Sequence, residues 1–181
     1  TAKRTVNFSE NILDDSDIPS VETPLSDFFA CADYQTYAPL TSLPVCVNPA
    51  RAFNCYWEMP FYKKCRITIE NLHSQDVTVY YQIDYVLTDL PKDCAYFHAQ
   101  FRRVNPLPYK QVYTIFTIQM AHLDPIYFKK DIRVTIQALG WRDEGRYLPL
   151  QDDISSVCFW YQDSICNSFP KFPGVDELEI I

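Results

Sequence analysis

Pro60-Phe61-Tyr62-Lys63-Lys64-Cys65-Arg66-Ile67-Thr68-Ile69 and Pro125-Ile126-Tyr127-Phe128-Lys129-Lys130-Asp131-Ile132-Arg133-Val134-Thr135-Ile136 present one pattern twice. Each copy has a Pro-aromatic entry, a Lys-Lys pair, and β-branched residues alternating with polar ones. Alternation with a period of two places successive side chains on opposite faces, so both copies read as half-buried strands. An aromatic strand is predicted after each, Val77-Thr78-Val79-Tyr80-Tyr81-Gln82-Ile83-Asp84-Tyr85 after the first and Ser155-Ser156-Val157-Cys158-Phe159-Trp160-Tyr161-Gln162 after the second. The chain reads as two related β halves, with both copies of the repeat as strands in comparable positions.

The rest of the chain supports an all-β reading. Aromatic residues make up 15% of 181 residues and glycine supplies only three, which suits long strands and leaves no glycine-rich phosphate cradle. Pro39, Pro44, Pro49 and Pro60 punctuate short strands such as 43–48 and 52–59. Ser26-Asp27-Phe28-Phe29 is expected to form a single helical turn capped by Ser26. Many strands separated by regular breaks predict a jelly-roll β-sandwich. The expected organisation is one domain over residues 1–181 with halves at about 19–115 and 116–168 and a tail at 169–181 that packs across a sheet or reaches a neighbouring subunit.

Charge and cysteine content narrow the partners. Sixteen basic against 23 acidic residues give a net charge of −7, with the basic residues scattered, so no stripe follows a phosphate backbone and nucleic acid is an unsuitable partner. No apolar run is long enough to span a bilayer. Seven cysteines (Cys31, Cys46, Cys55, Cys65, Cys94, Cys158 and Cys166) lack C-x-x-C pairing and metal-like spacing. They read as small buried thiols of a reducing, cytoplasmic setting, with an extracellular location as the alternative if a leader was removed. A start at Thr1 is expected of a processed chain or of a piece of a longer one.

Polar chemistry concentrates in Ala95-Tyr96-Phe97-His98-Ala99-Gln100-Phe101-Arg102-Arg103. Strand alternation puts Tyr96, His98, Gln100 and Arg102 on one face and Phe97, Ala99 and Phe101 on the other. The preceding strand places Thr78, Tyr80, Gln82 and Asp84 together, so a shared sheet brings Gln82 or Asp84 to His98 or Arg102. With Trp57, such a surface offers aromatic faces and planar hydrogen-bonding groups that match a sugar ring and its vicinal hydroxyls. The other reading is a solvated or subunit-facing sheet held by cross-strand pairs. Asp152 and Asp153 are candidates for a cation or for a turn before the next strand. His73 and His122 lie in loop-like sequence without partners, and no motif calls for a cofactor.

Longer stretches carry a resemblance. Asn54-Cys55-Tyr56-Trp57-Glu58-Met59-Pro60-Phe61, Tyr80-Tyr81-Gln82-Ile83-Asp84-Tyr85, Tyr96-Phe97-His98-Ala99-Gln100-Phe101-Arg102-Arg103-Val104-Asn105-Pro106 and Arg146-Tyr147-Leu148-Pro149-Leu150-Gln151-Asp152-Asp153-Ile154, through Trp160-Tyr161-Gln162, resemble glycoside hydrolase family 172. The resemblance implies paired jelly rolls like those of viral capsids, trimers or hexamers, and retaining hydrolysis of α-D-fructofuranosides or D-arabinofuranosides by two glutamates. Family members carry a large block, with a glutamate-bearing glycine-rich motif, between segments resembling 109–114 and 124–130. Here that block has no counterpart.

Retaining glycosidases need two carboxyls about 5 Å apart. Glu10, Glu22, Glu58, Glu70, Glu144, Glu177 and Glu179 form no evident pair, and Glu58 beside Trp57 is the most site-like. The expectation is therefore a self-assembling single jelly roll, structural or carbohydrate-binding, forming a trimer, hexamer or extended assembly with itself. Its alternatives are a furanosidase completed in another way and a longer enzyme of which this sequence is a part.

Overall fold

The computed structural model describes residues 2–3, 6–11, 18–31, 39–50, 52–119, 131–164 and 169–180. Its strands are β1 (Ala2–Lys3), β2 (Val6–Asn11), β3 (Val21–Pro24), β4 (Leu40–Thr41), β5 (Val45–Val47), β6 (Phe53–Cys55), β7 (Arg66–Asn71), β8 (Tyr96–Val104), β9 (Val112–Gln119), β10 (Asp131–Gln137), β11 (Leu139–Trp141), β12 (Tyr147–Pro149), β13 (Ile154–Gln162) and β14 (Glu179–Ile180). Among the described residues, one single-turn α-helix, α1 (Leu25–Phe28), and two short 3-10 turns, Asp143–Gly145 and Val175–Leu178, interrupt them. The fold is a β-sandwich, as the strand-period alternation predicts. Its main layer is a five-stranded sheet in the order β13-β8-β3-β2-β7, in which β3 and β8 run parallel and the other pairs antiparallel.

Strand β8 sits inside this sheet and both its faces are covered. Phe97, Ala99 and Phe101 stand opposite Tyr161, Phe159 and Val157 of β13, so one face is apolar across the pair. That face meets Val45 and Val47 of the small β4-β5-β6 sheet and Phe28 and Phe29 of the helix, with Trp57 alongside. Ring centroids lie 5.4 Å apart for Trp57 and Phe97, 5.3 Å for Trp57 and Phe159, and 5.4 Å for Phe97 and Tyr161. Burying each such ring contributes about 2 kcal/mol. On the opposite face, Trp160 stacks on His98 with centroids 5.3 Å apart and is packed by Phe116 of β9, Ile132 of β10 and Phe169. The tail packs locally, with Phe169 on Trp160, Phe172 near Phe101, and Leu178 fully buried.

Several elements differ from expectation. The helical turn has Pro24 at its N-cap, and Ser26 Oγ instead donates to Asp27 Oδ2 at 3.1 Å. Strands β5 and β6 are shorter than the runs 43–48 and 52–59 that contain them. Both copies of the repeat do contain strands, but β7 pairs with β2 at the edge of the main sheet whereas β10, among the described residues, pairs with β9 alone in a separate antiparallel pair. Residues 125–130 of the second copy, and His122, lie outside the described residues.

The strand expected at 77–85 is not formed. Residues 77–90 contain no helix, turn or ladder and are exposed almost throughout. Before them, Asn71 Nδ2 donates to Gln75 O at 2.7 Å, and the amides of His73 and Gln75 donate to Asn71 Oδ1 and His73 Nδ1. The bend is thereby fastened by side chains rather than by a return of the chain along β7. Alternation announces which faces would be buried, but a strand forms only against a neighbour that accepts its hydrogen bonds.

Truncating Phe97 to Ala is expected to cost about 3–5 kcal/mol in urea unfolding, because it empties the centre of the ring cluster. Ile69→Ala on the part-exposed edge strand should cost less than about 1 kcal/mol. Equal losses would place the core elsewhere.

Candidate functional site

The polar face of β8 is buried rather than open. His98 has no accessible surface and Gln100 retains 7%. His98 Nδ1 lies 3.0 Å from the carbonyl oxygen of Tyr96, so this nitrogen carries the proton and donates, leaving Nε2 as a bare acceptor. His98 Nε2, Gln100 Nε2 and Arg102 Nε are buried without hydrogen-bond partners. Cross-strand neighbours complete the face: Glu22 of β3 stands beside Gln100, and Cys158 and Ser156 of β13 stand beside Gln100 and Arg102. Tyr113 Oη donates to the Arg102 carbonyl or shares a hydrogen with Ser156 Oγ, each at 2.8 Å, fastening β9 over the row.

Burial sets the protonation of this face. Desolvation pulls His98 down from 6.5 to about 4, outweighing the bond to Tyr96 O. Desolvation likewise pushes the Cys158 thiol up to about 12. Both groups are therefore held neutral near pH 7, and neither is an activated nucleophile or a charged anchor. None of the six described cysteines is in a disulfide.

The other sequence candidates are not gathered here. Tyr80, Gln82 and Asp84 lie in the unpaired run 77–90 rather than in the sheet with His98, and Gln82 Nε2 donates to Asp84 Oδ1 at 3.2 Å. Trp57 is partly buried and packs against the core, stacked on Phe159. Glu58 is exposed beyond β6, and its main-chain carbonyl accepts from Tyr161 Oη at 2.8 Å. Burial, then the Glu58 charge, raise that tyrosine to about 12. Asp153 is engaged by Arg103, whose Nε donates to its Oδ1 at 2.7 Å and whose Nη2 pairs with Oδ2. The Asp152 carbonyl accepts from Leu107 N at 3.0 Å. Among the described residues, no three His, Cys, Asp or Glu side chains converge as for a metal ion.

Two features were missed. Arg103 falls in register with Phe97 and Phe101, and a charged residue at an apolar register position signals an ion-pair partner. It forks onto Asp153 and also donates to Glu177 O, tying β8 to the loop before β13 and to the tail. The second is the β11-β12 hairpin, where Trp141 and Tyr147 oppose each other with centroids 4.7 Å apart, yet remain 68% and 65% exposed. Beside them a wide, open depression of about 550 Å³ is lined by Trp141, Arg142, Asp143, Glu144, Arg146 and Leu148. Its turn uses left-handed backbone at Glu144 and Gly145, with φ of 68° and 73°. The signal was an aromatic residue on each side of Arg142-Asp143-Glu144-Gly145-Arg146.

His98 generates a pH dependence with a definite sign. Its folded pKa is depressed, so its neutral form contributes fully above pH 6.5, and stability is lost as pH falls towards 4, about 3 kcal/mol in all. Urea midpoints should fall more steeply between pH 7 and 4.5 for the natural chain than for His98→Phe. Parallel curves would show that His98 does not stay neutral in the folded state.

Comparison with known proteins gives one family. No curated protein matches the chain. Residues 2–105 match the GH172 first beta-sandwich domain, a span running from β1 to the end of β8 and so including most of the main sheet and the whole β4-β5-β6 layer. With more than half its length in that match, and the sandwich built as the match requires, the chain belongs to the GH172 family.

Proposed function

We propose that this GH172 member is a self-assembling β-sandwich protein whose exposed apolar surface is buried between copies. The observation that carries this reading is the run 77–87, where Tyr80, Tyr81 and Leu87 are 94%, 80% and 81% exposed and Val77, Val79, Ile83, Tyr85 and Val86 are also exposed. Contiguous apolar exposure on this scale marks an interaction surface. Assembly does not depend on a carboxylate pair, and the exposed Glu58 is left without a catalytic role.

Sedimentation velocity across protein and salt concentration tests this reading. Multiples of 21.2 kDa are expected, strengthening with salt as it screens a charge of −7 per chain. A monomer under all conditions would contradict it. The hydrolase alternative predicts turnover of aryl α-D-fructofuranosides or D-arabinofuranosides that Glu58→Gln abolishes, and the assembly reading expects none.

A second reading has its own observation. The exposed Trp141–Tyr147 pair, flanked by Arg142, Asp143, Glu144 and Arg146, combines aromatic faces with planar polar groups suited to a carbohydrate. Binding at this hairpin should change tryptophan fluorescence on titration with oligosaccharides, and Trp141→Ala should remove the change. Saturable binding that survives the substitution would place the sugar elsewhere.

A further inference from the structure

We infer that residues 77–87 pair antiparallel with the same residues of a second copy, around a two-fold axis at Gln82. This rests on the assembly reading and names its contact. The run has the alternation of a strand but no ladder partner among the described residues. Its odd positions are Val77, Val79, Tyr81, Ile83, Tyr85 and Leu87 and its even positions Thr78, Tyr80, Gln82, Asp84 and Val86. No described backbone group forms a ladder with it. Main-chain pairing at such an edge supplies affinity, and alternate side chains supply register.

The sequence is complementary to itself in one full-length register. With Gln82 opposite Gln82 of the second copy, Val77 faces Leu87, Val79 faces Tyr85, and Tyr81 faces Ile83, so each odd-face pair is apolar. On the even face Thr78 meets Val86 and Tyr80 meets Asp84, giving the carboxylate a phenol donor. The two Asp84 carboxylates are four positions out of register, roughly 13 Å apart along the strand. Like charges are thereby kept apart despite the acidic chain. The two Gln82 amides are matched donor to acceptor. A contact in which residue i meets j and j meets i is the isologous geometry of a two-fold dimer.

Gln82→Cys tests the register. Directly opposed residues in an antiparallel pair have Cα atoms about 4.5–5.5 Å apart, within disulfide range. Gln82 is exposed, so the substitution spares the core, which circular dichroism checks. Mild oxidation of the assembled variant should give a disulfide-linked dimer whose cross-linked peptide, identified by mass spectrometry, joins Cys at 82 to itself. The natural chain, oxidised in parallel, controls for its own seven cysteines. As a second variant pair, Tyr80→Cys mixed with Asp84→Cys should give the 80-to-84 heterodimer in preference to either homodimer. An assembly that persists by sedimentation but gives neither cross-link overturns the pairing while leaving assembly standing. If the natural chain stays a monomer, both fall.

Discussion

The structure depends on a single strand buried on both faces. β8 alternates so sharply that its apolar side packs against the helix and the small sheet, while its polar side is closed by Trp160, Tyr113 and Phe169. The first side drives folding through ring burial, and the second is tolerated because it is uncharged where it is deepest. His98 illustrates the balance: its ring stacks as an aromatic and stays neutral because burial penalises the charged form. Arg103 holds the end of the strand by the fork to Asp153, with its charge compensated where β8 meets the tail.

Sequence alone made β8, β13 and their facing legible, because alternation over nine residues in each fixes which side chains share a face. The covering elements were not legible. Nothing in the period of His98, Gln100 and Arg102 shows that the β9-β10 hairpin and Phe169 close over that face, since this is a long-range packing event. Trp57 looked like a ligand ring for the same reason; its packing against Phe97 and Phe159 is tertiary. Asp152 and Asp153 looked alike, and only the approach of Arg103 separates their roles. The run 77–85 fails in a different way, for its alternation is real but its strand partner is absent from this chain's described residues.

The run 77–87, unpaired among the described residues, is what the proposed assembly rests on. The GH172 match ends at residue 105, and the run with the most exposed apolar surface lies inside it. A chain of this size that leaves eight apolar side chains of one segment in water gains on the order of 1 kcal/mol from each one that association covers. A polar cleft or a catalytic dyad would make no such demand for a second chain.

Amide hydrogen exchange of residues 77–87 as a function of protein concentration tests this account most directly. Free backbone exchanges rapidly, and paired backbone is protected. The account predicts protection of alternate amides in this run at high concentration and its loss on dilution, with β8 protected throughout. Rapid exchange across residues 77–87 at every concentration would contradict it.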